Sequence, residues 1–190
     1  MDAVGYDHRL WARVVMYERC FALLRTLGPA QLDALEISAG PAWRELGFRS
    51  FTTANYPDFD ICKDVLARQF DVIIADQIFE HVLWPFRAAK NVLSMLNPNG
   101  YFLITVPFLV RIHREPHDCT RWTETGLKHF LAESGFPIED IQTGAWGNRA
   151  CVRANFRRWV RKGWLGSLRN EPDFPVAVWA LARRGAARET

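Results

Sequence analysis

Leu35-Glu36-Ile37-Ser38-Ala39-Gly40-Pro41-Ala42-Trp43 is the stretch on which the fold turns. A short apolar run ends in small residues and a glycine, and a proline then opens a possible turn of helix. That is the outline of a strand, a tight turn and a helix start. Small residues leave room for a ligand to approach the backbone, and glycine permits unusual dihedrals. The stretch reads as the floor of a nucleoside-type pocket.

Working outward, the clearest strand is Phe70-Asp71-Val72-Ile73-Ile74-Ala75. A continuous apolar run of this kind suits a strand buried on both faces of a parallel sheet. Further strands are expected at Leu32–Ile37, Phe51–Ala54, Asp60–Cys62, Tyr101–Val106, Ile138–Thr143 and Val176–Ala182. Helices are expected over Asp7–Leu27, Pro85–Leu96 and Asn148–Leu168. Another follows Thr123, which can cap it, and ends before Gly135-Phe136-Pro137. Alternating strands and helices imply an α/β fold. In such sheets ligands sit at the carboxyl ends of the strands. Those ends are Ser38–Gly40, Asn55, Ala75–Gln77 and Pro107.

The 190 residues suit one domain, 1–190. Its expected parts include an N-terminal helical lid over 1–30 and a helical insertion over 145–172. A net charge of +3 is too mild to imply nucleic acid. Cys20, Cys62, Cys119 and Cys151 are widely spaced and form no C-x-x-C pair. With no basic n-region or apolar h-region in Met1-Asp2-Ala3-Val4, they favour free thiols and a cytoplasmic location.

The motifs, in order, resemble those of class I S-adenosylmethionine (SAM)-dependent methyltransferases of the methyltransferase domain 11 kind. They are Leu35–Gly40, Asp60-Ile61-Cys62-Lys63-Asp64, Phe70-Asp71-Val72 with Glu80-His81-Val82, and Leu96-Asn97-Pro98-Asn99-Gly100. The pattern His113…Pro116-x-Asp118-x-x-Arg121-x-Thr123 completes the set. The resemblance implies a three-layer Rossmann-like sandwich with a mostly parallel seven-stranded sheet and an antiparallel last strand. It implies SAM as cofactor and a small or medium acceptor, with a sugar-type hydroxyl as one candidate. Carried over, Glu36, Ser38 and Gly40 would line the methionine end. Asn55 stands where the family has a ribose-binding acid, and Asp58 lies three residues on. Asp64 and Val65 map to the adenine contact, and Asp76 and Gln77 to cofactor and substrate contacts.

His81, His117 and Arg121 are candidate substrate contacts, and His113 is the candidate base, since its unperturbed pKa lies near neutrality. Glu80-His81 equally suits bracing of the next helix, and Asp118 with Arg121 equally suits an ion pair that shapes the loop. His113, His117 and Cys119 lack the partner pair of a zinc site, so no metal is expected. Arg153, Arg157 and Arg161 recur every fourth residue. They read as a solvated basic helix face, or as a contact for an anionic acceptor or membrane surface. A rival reading is a catalytically inactive methyltransferase-fold partner subunit. A nicotinamide dehydrogenase ranks last, because the first turn lacks G-x-G-x-x-G.

Overall fold

The computed structural model describes residues 9–38, 40–114, 116–164 and 166–186. Four expectations therefore fall outside it: the reading of Met1–Val4, Asp7 at the first helix start, Ala39 in the quoted turn and Leu165 in the late helix.

The described residues form one six-stranded sheet, ordered β2-β1-β3-β4-β6-β5. Its strands are β1 (Asp33–Ile37), β2 (Ser50–Ala54), β3 (Phe70–Asp76), β4 (Leu96–Pro107), β5 (Ile141–Trp146) and β6 (Ala177–Arg183). β1 to β4 pair in parallel, and β6 runs antiparallel to both β4 and β5. The expected α/β layering and antiparallel last strand are present, but the sheet has six strands rather than seven.

The missing strand is Asp60–Cys62. Its side chains take over the backbone: Asp60 Oδ1 accepts from Cys62 N at 3.0 Å, and Asp64 Oδ2 accepts from Asp60 N at 2.7 Å. Short acids that bond their own backbone close turns in this way.

Helices α2 (Pro85–Met95) and α3 (Glu124–Glu133) cover one sheet face. On α2 the buried side is Ala88, Ala89, Val92 and Met95, whereas Phe86 stays exposed. Thr123 caps α3 by accepting from Gly126 N. Helix α1 (Val14–Arg25) covers the other face through Met16, Tyr17, Cys20 and Leu24, with Trp43 beside it. α1 begins later than the apolar spacing suggests because the preceding backbone is used elsewhere. Trp11 N donates to Val160 O at 2.8 Å, and Lys162 N to Arg9 O at 2.8 Å.

The late helix is also shorter than expected: α4 spans only Arg149–Ala154. Asn155 ends it. Its amide donates to Cys151 O at 2.8 Å and its carbonyl accepts from Val160 N at 3.0 Å. Arg153, Arg157 and Arg161 therefore share no helix face; Arg161 instead forms a bridge to Leu10. Among the described residues no helix is long and apolar enough to cross a membrane. All four cysteines are free.

Candidate active site

The parallel register brings the expected ligand-binding ends together. Ile37 lies beside both Ala54 and Ala75, and Asp76 beside Thr105. Ser38 N crosses to Ala54 O at 2.8 Å. Just past their strands, Ser38 and Gln77 both adopt left-handed backbone, with φ of 55° and 57°. A non-glycine residue there costs about 1–3 kcal/mol, and such strain gathers at functional sites.

Glu36 lies beneath this turn with no solvent exposure. One oxygen, Oε1, accepts from Gly40 N at 3.0 Å. The other, Oε2, is buried without a partner. Burial pushes the carboxyl up to about 7; Asp76 adds to the rise, while the Gly40 amide and Arg44 oppose it. A buried carboxylate with a free lone pair suits a cationic guest.

Asp76 and Gln77 are held by the protein itself. Tyr17 Oη and Trp43 Nε1 donate to Asp76 Oδ2 at 2.6 and 3.2 Å, and Thr105 Oγ1 donates to Oδ1 at 2.5 Å. Burial, then Asp76, raises the Tyr17 phenol far above its ordinary value. Arg13 reaches Gln77 Oε1 at 3.3 Å, and Gln77 Nε2 donates to Thr105 Oγ1 at 3.2 Å. At the end of β2, Asn55 and Asp58 are exposed, as are Asp64 and Val65 one turn on. Asn55 O accepts from Phe59 N at 2.9 Å, and the Asp64 carboxylate closes its own turn.

A second group gathers past β3. Glu80 is fully buried, and neither carboxylate oxygen has a hydrogen-bond partner. Burial pushes it up to about 8. His81 Nε2 lies 3.6 Å and His113 Nε2 4.0 Å from Glu80 Oε1. The two imidazoles meet edge to face, 4.9 Å apart. Main-chain bonds from Cys119 and Thr120 to Glu80 O tie the loop after β4 to this point. His81 Nδ1 bonds the carbonyl oxygen of His117, whose own side chain is exposed. Arg121 forks onto Asp118, and Asp118 Oδ2 also accepts from His113 N at 2.8 Å. The loop-shaping ion pair is thus present. Burial lowers the His113 pKa, and His81 adds to the effect.

Sequence reading missed Tyr17, Trp43 and Thr105 around Asp76. It also missed Trp159, which sets its ring edge to His113 at 5.5 Å. Nothing local signals these contacts, because their partners are distant in sequence.

This strand order is that of a Rossmann-like α/β domain with the fold of class I SAM-dependent methyltransferases. A family model described as "Methyltransferase domain" matches residues 4–140, and the chain belongs to that family. No curated protein sequence matches it. Among solved structures, a SAM-dependent methyltransferase from Mesorhizobium loti is similar at 17% identity and a TM-score of 0.58, covering 86% of this chain and 96% of its own. The 1,6-didemethyltoxoflavin-N1-methyltransferase of Burkholderia thailandensis, solved with bound 1,6-didemethyltoxoflavin and S-adenosylhomocysteine (SAH), matches at 12% identity and a TM-score of 0.57, covering 89% of this chain and 78% of its own. Phosphoethanolamine N-methyltransferase 2 of Haemonchus contortus, solved with SAM, matches at 13% and 0.58, covering 88% and 52%. These likenesses concern the fold.

Proposed function

We propose that this chain binds SAM at the ends of β1, β2 and β3 and transfers its methyl group to a small or medium acceptor. The observation that carries the reading is Glu36: a buried carboxylate behind Gly40, with one oxygen unbonded. SAM brings an ammonium and a sulfonium, and such a cation supplies the counter-charge that the free chain lacks. Ser38 and Gly40 would hold the methionine end, Asn55 or Asp58 the ribose, and Asp64 and Val65 the adenine. Asp76 and Gln77, tied to α1, would fix the cradle floor.

The acceptor would enter beside His81, His113, His117 and Arg121, with a sugar-type hydroxyl as our candidate. Methyl transfer is an in-line displacement. The acceptor oxygen forms a bond to the methyl carbon, the carbon–sulfur bond breaks, and its electron pair returns to sulfur as SAH leaves. Alignment supplies much of the acceleration. In the metal-free chain His113 would receive the hydroxyl proton. Its lowered pKa leaves the ring neutral and able to accept at pH 7.

One observation favours the rival reading of a non-catalytic partner subunit: the β2 end offers the neutral, exposed Asn55 where the resemblance calls for an acid. Thermal shift separates the two. The expected result is a higher melting temperature with SAM and with SAH, and none with NADH. No shift with SAM or SAH at millimolar concentration would refute the enzyme reading.

A further inference from the structure

We infer that Glu80, His81 and His113 form a binding site for a divalent transition-metal cation at the acceptor side of the cradle.

One ligand atom from each residue lies within 4.8 Å of the other two. The two separations from Glu80 Oε1 are 3.6 and 4.0 Å. Ligand atoms around a tetrahedral zinc with bonds near 2.1 Å stand roughly 3.4 Å apart. Closing the set on a metal would take a shift of about 1 Å.

The second line of support is the state of Glu80. It is wholly buried, both oxygens lack a hydrogen-bond donor, and it faces two imidazole nitrogens. A buried polar group without a partner costs about 1–3 kcal/mol.

Third, His81 is held as a metal ligand is held. A carbonyl oxygen can only accept, so His117 O fixes the proton of His81 on Nδ1 and leaves the Nε2 lone pair facing Glu80. His113 Nδ1 lies 3.4 Å from Asp118 Oδ2 without a hydrogen bond to it, and Asp118 is anchored by Arg121. A carboxylate or carbonyl behind the distal nitrogen is the usual support of a coordinating histidine.

The local charge also suits a cation. Asp76 and Asp118 balance Arg13 and Arg121, and a bound cation would displace the proton that burial holds on Glu80. Two imidazoles and one carboxylate select zinc, iron, cobalt or manganese over calcium. Three protein ligands leave a coordination position for an acceptor oxygen, whose hydroxyl proton would then pass to solvent rather than to His113. That use rests on the methyltransferase reading; the metal site itself does not.

The test uses the full chain, stripped with chelator and dialysed. Zn2+ is titrated by calorimetry, and Co2+ is followed by its visible d–d absorption. One equivalent should bind, and Zn2+ should raise the melting temperature. His81→Ala and His113→Ala should each weaken binding at least tenfold, and His113→Asn should weaken it likewise. His129→Ala, an exposed histidine on α3, should leave it unchanged. Absence of saturable one-to-one binding would overturn the site. So would loss of binding in Cys119→Ser while His113→Ala binds as the wild type does. No SAM enters the titration, so its failure and that of the methyltransferase reading are separately visible.

Discussion

Replacing Glu36 with Gln should flatten both a stability profile and a binding profile. Glu36 is shielded from water and sits at about 7 instead of its ordinary 4.5. The folded chain therefore holds this proton more tightly than the unfolded chain does. Its contribution is fully present below about 4.5 and is lost as pH rises towards 7. At about 1.4 kcal/mol per pKa unit, the loss is at most about 3 kcal/mol. In a domain of this size that is up to roughly 6–12 °C in melting temperature. Gln carries no charge, so the variant should lose less stability than the wild type between pH 5 and pH 8. Comparing the two slopes removes any constant cost of burying the amide. SAM should reverse the sign, because its cation stabilises the ionised carboxylate. Wild-type affinity should rise between pH 6 and pH 7.5, and the variant should bind at least tenfold more weakly at pH 7.5. The assays are urea unfolding across pH and calorimetry with SAM. Parallel stability profiles, together with variant affinity within twofold of wild type, would refute the reasoning.

Two further predictions concern the scaffold. Asp76→Ala removes the acceptor shared by Tyr17, Trp43 and Thr105, three buried donors. It should destabilise by roughly 3–5 kcal/mol in urea unfolding; a loss under 1 kcal/mol would show the network to be incidental. Gly144 on β5 faces Trp179 on β6, and a Cβ there would meet the indole carbons at 2.6 Å. Gly144→Ala should cost about 1–3 kcal/mol through overpacking, and an unchanged melting temperature would contradict that packing.

The strands were legible where burial was two-sided. Phe70–Asp76 and Ala177–Arg183 are almost wholly buried, and an apolar run announces that directly. Asp60–Cys62 misled because a short apolar-centred triplet looks like a strand until Asp60 and Asp64 are seen bonding the backbone. Asn148–Leu168 misled because helix-forming residues continue beyond Asn155, whose amide diverts the chain. The turn at Ser38 and Gly40 was legible because strand and turn are contiguous there. The Asp76 network and the contact of Trp159 with His113 were not. Tyr17 lies 59 positions from Asp76, and only the closed sheet brings them together.

Calorimetric titration of the purified chain with SAM tests the central claim most directly. One site with micromolar affinity, competed by SAH, is the expected result. A flat isotherm at millimolar SAM would contradict the account and leave this protein with the methyltransferase fold alone.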